Sequence, residues 1–434
     1  MHRVNTALSR IAVGVTFVWA MALSASMLIQ PACAQTYTVI HDFAGGADGD
    51  EPAYGLTIDA SGTLYGVTFE GDAGTGTLFK LRQLSSGWHL TPLYVFPGGP
   101  GTNGAVSYSG VSFGLDSTLY GTTGFGGVGP CSTWGGTDGC GTVFTLKPSL
   151  SACRNALCYW TETPINDFTG GSNGATPFGG RLTFDGLNNI YGTTFSGGGG
   201  NCPGGCGVVY QLVHSGGSWT ENVLYTFTGS GGDGAYPFAG VIFDQVGNLF
   251  GTTTAGGTFG YGTVYELSQS PSGWTQRVIY NFQNQADGGS PFAGLIIDRA
   301  GNLYGATTSG GSAGNGGTVF ELSPAGSGWT LQTLASFVRN PGELAGGPVA
   351  TPIMDSAGNI YGATYGDGAN GVGSVFKLSP SGGGWTLTTL YDFVGGSTGL
   401  LPRSNLVMDS AGNLYGMAAA GGAFGKGAVF QITP

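Results

Sequence analysis

The stretch Asn302-Leu-Tyr-Gly-Ala-Thr307 decides the fold, because close variants of it recur along the chain. Aligned on their aromatic residue, consecutive copies lie 54–59 residues apart, except for one interval of 71 residues that holds four cysteines and is interpreted as a loop insertion. Recurrence at a fixed period indicates an array of one supersecondary unit. The aligned residues are Tyr65, Tyr120, Tyr191, Phe250, Tyr304, Tyr361 and Tyr415.

Each copy is predicted to form four short strands. Around the quoted stretch, strand a is Gly294–Asp298, strand b is Asn302–Thr307, strand c is Gly317–Leu322 and strand d is Trp329–Phe337. These segments alternate in polarity or are rich in β-branched and aromatic residues, and turn residues bound them. Four-stranded repeats of this length are typical of propeller blades, whereas the turns of a β-solenoid are shorter.

The two ends of the repeat array fit together. The stretch 37–43 reads as a strand d without a preceding strand c, and 427–432 reads as a strand c without a following strand d. Pairing them completes a last blade and removes the open sheet edges that favour aggregation. The sequence therefore predicts an all-β, seven-bladed β-propeller whose ring is closed by the N-terminal strand d.

The strand order also assigns the loops to two faces of the ring. The a–b and c–d turns are short and share one face, which we call the turn face. The b–c and d–a loops are long and variable and share the other, the loop face. Because function concentrates on loops carried by a rigid scaffold, the loop face and the channel mouth are the predicted ligand side.

Composition narrows the class of protein. The chain has 87 glycines but 12% aromatic residues, whereas disordered chains lack aromatics. The glycines are therefore interpreted as turns between strands. The net charge is −11 and no basic run is present, which argues against nucleic-acid binding.

Residues 1–34 resemble a signal peptide, and residues 35–434 form the predicted propeller. Arg3 and Arg10 precede an apolar run, and Ala32-Cys33-Ala34 fits the small-x-small cleavage rule. Retention as a membrane anchor is the alternative, while Gln30 argues against a lipoprotein signal at Cys33. No later apolar stretch is long enough to span a bilayer. We expect a bacterial protein that is secreted or held at the cell surface.

Six cysteines remain after removal of the signal, which suggests disulfides in an oxidising compartment. Fifteen pairings are open, and the local one is favoured because each pair brackets a short loop. A zinc site is the disfavoured alternative, since the spacings lack paired C-x2-C motifs. The favoured pairs are Cys131–Cys140, Cys153–Cys158 and Cys202–Cys206.

The copies resemble the GloVer (Gloeo/Verruco) tandem repeat of secreted bacterial proteins. The copy in blade 4 shows the pattern best, from Phe227 through Asp233-Gly234, Pro237, Gly240 and Asp244 to Gly247-Asn248-Leu249-Phe250-Gly251-Thr252-Thr253 and Gly262-Thr263-Val264. The resemblance covers nearly all of residues 35–434. It implies no established activity, so it transfers no catalytic residue.

Two sets of carboxylates are candidate metal ligands. In the first d–a loop, Asp48, Asp50 and Glu51 cluster, but an EF-hand pattern is absent and turn chemistry is favoured over calcium. No other cofactor is expected. An aspartate also ends strand a in six copies, where an Asx turn is favoured over a metal ring because each belongs to a separate blade. These residues are Asp59, Asp185, Asp244, Asp298, Asp355 and Asp409.

The tryptophans divide into two groups. Six of them open strand d and are expected to cover the blade edges. Trp134 instead lies in the insertion between Cys131 and Cys140, where it is a candidate for stacking on a sugar or another flat ligand, with packing against its own loop as the alternative.

Catalytic signatures are sparse. The three histidines after the signal are His41, His89 and His214, and no nucleophile-elbow motif is present. The favoured function is a monomeric, non-catalytic extracellular module that binds or scaffolds a polysaccharide or a protein. The alternative is a polysaccharide hydrolase or lyase whose acidic residues converge at the channel mouth.

Overall fold

The computed structural model describes residues 35–433, apart from 53, 72–74, 98–103, 105–106, 134–135, 138, 149–159 and 340–345. Seven four-stranded antiparallel blades form a closed ring, which confirms the predicted β-propeller. Two 3-10 turns, Gly46–Asp48 and Gly396–Thr398, interrupt the β-structure. Within the described residues, no helix is long and apolar enough to span a membrane.

In every blade the four strands lie side by side in the order a, b, c, d, counted outward from the axis. Strands a are Tyr54–Ile58, Ser112–Phe113, Thr183–Phe184, Ile242–Phe243, Ile296–Ile297, Ile353–Met354 and Val407–Met408. Strands b are Leu64–Val67, Leu119–Thr123, Ile190–Thr194, Leu249–Thr253, Leu303–Ala306, Ile360–Thr364 and Leu414–Ala420.

The outer strands are longer than the inner ones. Strands c are Thr77–Leu84, Thr142–Pro148, Val208–Ser215, Thr263–Ser270, Asn315–Ala325, Ser374–Ser381 and Ala428–Thr433. Strands d are Gly87–Val95, Trp160–Asp167, Ser218–Thr226, Gly273–Asn281, Gly328–Val338, Gly384–Asp392 and Thr36–Asp42. Short additional strands are Ser132–Thr133, Gly136–Thr137, Gly234–Ala235, Ala255–Gly256 and Leu400–Pro402.

The ring closes as the sequence predicts. Strand Thr36–Asp42 pairs antiparallel with Ala428–Thr433, from Thr36 opposite Thr433 to Asp42 opposite Ala428. The ring of Tyr37 also stacks on Tyr391 of the preceding blade, with centroids 3.7 Å apart. The first and last segments of the propeller therefore form one sheet.

The recurring motif explains how each blade is built, and blade 3 illustrates it. Tyr191 donates its hydroxyl hydrogen bond to Asp185 in the a–b turn, at 3.1 Å. Gly192 leaves room for the strand c ring of Tyr210, whose Oη would lie 2.4 Å from an added Cβ. Thr193 donates to the carbonyl of Ala239 in blade 4, at 2.9 Å. The motif thus fixes the turn, the sheet and the contact with the next blade.

Seven hydrophobic clusters lie between neighbouring blades and form the core. The tryptophans of strand d belong to these clusters. Trp385, for example, packs edge-on against Tyr304 of the preceding blade, with centroids 6.2 Å apart. Trp88, Trp219 and Trp329 make the same contact with the strand b aromatic of the preceding blade. They bridge two blades, which is a more specific role than covering an edge.

Candidate functional site

A cavity of ≈ 710 Å³ occupies the centre of the ring. Strands a and the segments that lead into them form most of its lining. Thr308 and Tyr365, which follow strands b, also contribute to it. Because these are the ends of d–a loops and the starts of b–c loops, the cavity lies toward the loop face, the predicted ligand side.

Strand a of blade 5 is shorter than the sequence predicts, since it spans only Ile296–Ile297 of the expected 294–298. Glycines bring blades 1 and 2 very close together at the cavity wall. A Cβ added to Gly55 would lie 2.0 Å from the backbone nitrogen of Gly110. Only backbones without side chains can approach so closely.

One side of the cavity is aromatic. Tyr54, Tyr108, Phe178, Phe238 and Phe292, from blades 1 to 5, form a continuous series that we call the aromatic arc. Successive ring centroids lie 5.3, 4.5, 5.9 and 5.1 Å apart. All five side chains are half-buried. Tyr54, Tyr108, Phe238 and Phe292 line the cavity, and Phe178 joins Tyr108 to Phe238 without lining it. The arc therefore offers apolar ring surface to the cavity.

Part of the arc has a sequence signal outside the repeated motif, which is a position directly after a proline. Phe178, Phe238 and Phe292 each follow a proline directly in the d–a loop. The same slot holds Val349 in blade 6 and Arg403 in blade 7. The Pro-Phe part of the arc therefore spans blades 3 to 5, the tyrosines of blades 1 and 2 do not follow a proline directly, and blade 7 places a cation in the slot.

The cavity also has a polar side, and Arg403 makes the main contacts there. Its Nη2 donates to the hydroxyl of Tyr365 at 2.7 Å, and its Nη1 lies 3.3 Å from a carboxylate oxygen of Glu51. Burial alone would lower the pKa of Arg403, but the contacts with Tyr365, Tyr54 and Glu51 outweigh it and raise the pKa. Burial raises the pKa of Glu51 despite the neighbouring guanidinium. The contacts with Glu51 and Tyr365 fix the position of the Arg403 guanidinium at the mouth of the cavity.

Arg181, on blade 3, is the second cation of the cavity. It donates a hydrogen bond across the channel to the carbonyl oxygen of Leu56 in blade 1, which also accepts one from the amide of Asn405 at 3.1 Å. Its side chain is exposed to the space of the cavity, and desolvation by the blades around this space lowers the pKa of the guanidinium to about 10. Arg181 therefore remains charged at neutral pH.

The wall formed by strands a is polar on one half and apolar on the other. Thr57, Ser112 and Thr183 line it in blades 1 to 3, and Ile242, Ile296 and Ile353 occupy the same register in blades 4 to 6. The hydroxyls of Thr57 and Thr183 donate to carbonyls of the next blade, so they also hold the inner ring together.

The structure separates the candidate calcium ligands. Asp48 contacts His41 at 3.2 Å, Asp50 pairs with Lys426, and Glu51 pairs with Arg403. Asp48 also accepts the backbone N–H of its own turn, from Ala44 at 2.9 Å. In the described part of the chain, no three His, Cys, Asp or Glu side chains form a group that could hold a metal ion. Calcium binding stays the disfavoured alternative, which titration can test.

The aspartates at the ends of strands a bond their own turns. Oδ1 of Asp298 accepts the backbone N–H groups of Ala300 and Asn302, at 2.8 and 2.9 Å. Burial alone would raise the pKa of Asp298, but hydrogen bonds from Asn302, Tyr304 and Ala300 outweigh it and lower the pKa. Blade 2 lacks this aspartate and uses Asp116 instead, which accepts a backbone N–H at 3.1 Å.

Two of the expected disulfides are present, Cys131–Cys140 and Cys202–Cys206. Cys140 and Cys206 both stand directly before the glycine that leads into strand c, so the bridges occupy equivalent places in blades 2 and 3. Cys153, Cys158 and Trp134 lie outside the described residues, as does the segment 1–34.

Fold and cavity together define a seven-bladed propeller with a ligand-sized central site. The chain belongs to the Gloeobacter/Verrucomicrobia repeat family, whose model matches residues 129–345 and 268–434. None of the curated proteins matches it.

Solved structures show the same architecture at low identity. An ulvan lyase, a polysaccharide lyase bound to a GlcA(1-4)Rha3S saccharide, is 13% identical over 91% of this chain and 95% of its own, with a TM-score of 0.50. PorZ, a surface component of the type-IX secretion system of Porphyromonas gingivalis, is 18% identical over 84% of this chain and 45% of its own, with a TM-score of 0.41. A gluconolactonase from Xanthomonas campestris is 14% identical over 67% of this chain and 78% of its own, with a TM-score of 0.37. At these identities the likeness shows the fold alone.

Proposed function

We propose that this propeller is an extracellular, non-catalytic module that binds a saccharide in its central cavity. The observation that carries the proposal is the aromatic arc facing a polar side formed by Arg403, Tyr365 and Asn405. A sugar ring has apolar C–H faces that stack on aromatic rings and hydroxyl edges that need fixed hydrogen-bond partners. One cavity offers both surfaces.

The size of the cavity supports this function. Small-molecule sites are concave, roughly 300–1,000 Å³ in volume, and mostly apolar with a few placed polar groups. The central cavity, at ≈ 710 Å³, falls within that range. The ulvan lyase, which is similar in fold alone, is bound to a saccharide, GlcA(1-4)Rha3S.

Binding is favoured over catalysis by the chemistry of the lining. Glycosidases need two carboxyl groups flanking the scissile bond. Among the described residues that line the cavity, none is an aspartate or a glutamate. Glu51 lies behind Arg403 as its ion-pair partner. A polysaccharide hydrolase or lyase remains the alternative prediction, and release of new sugar ends from an incubated polysaccharide would reveal it.

The disulfides support an extracellular location. Disulfides persist in oxidising compartments and are rare in the cytosol. The two bridges staple the b–c loops of blades 2 and 3, on the loop face. An exported protein would keep these loops in place beside the cavity.

A glycan array followed by calorimetric titration of the strongest hit tests the proposal. We expect Phe238→Ala to weaken binding about tenfold, because one aromatic stacking contact is lost. Phe259→Ala is the matched control, because Phe259 belongs to the same blade but is 51% exposed and lies outside the cavity lining. The proposal is wrong if no saccharide binds, or if the two variants bind equally well.

A further inference from the structure

Arg181 occupies a place that four other blades give to glycine. It stands four residues before the end-of-strand aspartate Asp185, in the segment that lines the cavity. The corresponding residues of blades 1, 2, 4 and 5 are Gly55, Gly110, Gly240 and Gly294. A long cation is therefore placed where the repeat otherwise keeps the smallest residue.

The charge of Arg181 has no carboxylate partner among the described residues. Its hydrogen bond goes to the neutral carbonyl of Leu56, and burial is the cause that shifts its pKa. Arg277 and Lys426, by contrast, pair with the carboxylates of Glu266 and Asp50. The guanidinium of Arg181 is exposed to the cavity that it lines, where an anionic group can reach it. The donors of Arg181 that Leu56 does not use remain available to a ligand.

The chemistry of the guanidinium specifies what would compensate it. A planar guanidinium binds carboxylate and sulfate-type oxyanions with two parallel hydrogen bonds. The neighbouring wall adds the hydroxyl of Ser112, and the hydroxyl oxygens of Thr57 and Thr183, whose protons bond to backbone carbonyls, can accept hydrogen bonds from sugar hydroxyls. The aromatic arc lies above it at the mouth. A sugar that carries an oxyanion would pair with the guanidinium, hydrogen-bond to the wall and stack on the aromatic arc.

We propose that the saccharide of the central cavity is anionic and that its carboxylate or sulfate group pairs with Arg181. This inference rests on the proposed saccharide-binding function and names the class of sugar. Arg181 is then the residue that separates acidic from neutral saccharides, while the aromatic arc binds both.

Calorimetric titration with trigalacturonate and with its methyl ester tests the role of the charge, because the two differ in the carboxylate. We expect the intact protein to bind trigalacturonate at least about tenfold more tightly than the ester. Arg181→Gln should abolish that difference, and Arg181→Lys should keep part of it. Arg299→Gln removes the same charge from an exposed site on the turn face and should keep all of it.

Further measurements separate the possible failures. If the ester binds as tightly as trigalacturonate, or if Arg181→Gln keeps the difference, the anionic class is wrong and saccharide binding stands. If neither sugar binds, saccharide binding fails for these probes. In that case, inorganic sulfate should still raise the melting temperature of the intact protein but not of Arg181→Gln. Absence of that rise overturns the oxyanion site. Repeating the titration with galactose 6-sulfate oligomers distinguishes a sulfate ester from a carboxylate.

Folding of the variant is not an obstacle to this test. Because the Arg181 side chain is exposed to the cavity and has no carboxylate partner among the described residues, Arg181→Gln is expected to melt at about the same temperature as the intact protein. An unchanged melting temperature together with lost selectivity supports a residue kept for its ligand. A strongly lowered melting temperature would show that Arg181 holds the fold together and would overturn the inference.

Discussion

Gly55→Ala is expected to destabilise the ring through the contact between blades 1 and 2. Gly55 has φ +56°, a conformation that costs other residues about 1–2 kcal/mol. The added Cβ would also lie 2.0 Å from the nitrogen and 2.1 Å from the Cα of Gly110. Both are backbone atoms, so the two blades must separate. Overpacking of this kind costs about 1–3 kcal/mol more.

Gly62→Ala is the matched control. Gly62 lies in the same blade with φ +82°, but an added Cβ would meet nothing within 4 Å. We therefore expect Gly62→Ala to lower the free energy of unfolding by about 1–2 kcal/mol and Gly55→Ala by about 2–5 kcal/mol. Urea unfolding followed by tryptophan fluorescence measures both. The difference between the two variants isolates the clash from the backbone strain.

The same substitution should weaken saccharide binding. Gly55 and Gly110 both line the central cavity, so forcing their blades apart changes its shape. Gly110→Ala, whose Cβ would lie 2.3 Å from the carbonyl oxygen of Gly55, should reproduce both effects. Equal stability of the Gly55 and Gly62 variants would refute the reasoning, because it would mean that the inner ring absorbs a side chain without cost.

Four further outcomes are expected. Hydrogen bonds lower the pKa of six turn aspartates below the ordinary 3.8. The stability that these carboxylates add is therefore present above pH 3.8 and is lost as the pH falls through the lowered pKa values. Melting temperatures that stay constant from pH 6 to about pH 2 would contradict this expectation. These residues are Asp59, Asp116, Asp185, Asp298, Asp355 and Asp409. Burial raises the pKa of Glu221, so the stability that this side chain adds is present below the ordinary 4.5 and is lost as the pH rises. Glu221→Gln keeps an acceptor for Asn166 and Asn173 and should melt at a higher temperature than the intact protein at pH 7. This gain in melting temperature should shrink toward pH 4. Calcium should leave the melting temperature unchanged, because Asp48, Asp50 and Glu51 contact three different side chains, His41, Lys426 and Arg403. A rise that EDTA reverses would restore the metal site. Trp134→Ala should weaken binding of the array hit if Trp134 stacks on it, and unchanged affinity would remove Trp134 from the site.

The seven-bladed architecture could be predicted from the sequence because the residues of the repeat make the same structural contacts in each blade. The aromatic residue of the motif, its glycine and its threonine each have one structural partner per blade, as Tyr191, Gly192 and Thr193 show. The pairing of 37–43 with 427–432 also followed from counting strands. Such features are local or repeat at a fixed spacing, and a single sequence displays both.

The site could not be predicted in the same way. Arg181 and Leu56 are 125 residues apart, and their contact depends on how closely the blades approach across the axis. The aromatic arc joins residues from five blades, and only the position of Phe178, Phe238 and Phe292 directly after proline hints at it. The residues of the candidate site are departures from the repeat, whereas the motif consists of what the copies share.

The position of the closing strand in the sequence affects the order in which the propeller folds. Residues 36–42 find their partner near residue 430, so closure joins the two most distant parts of the propeller. Closing a loop of that length carries a large entropic penalty, and non-local contacts form late. Until then, the exposed edge of the last blade can accept strand 36–42 from another molecule as readily as its own. The concentration at which the chain folds therefore decides between a closed ring and strand-exchanged oligomers, and dilution during refolding should favour the ring.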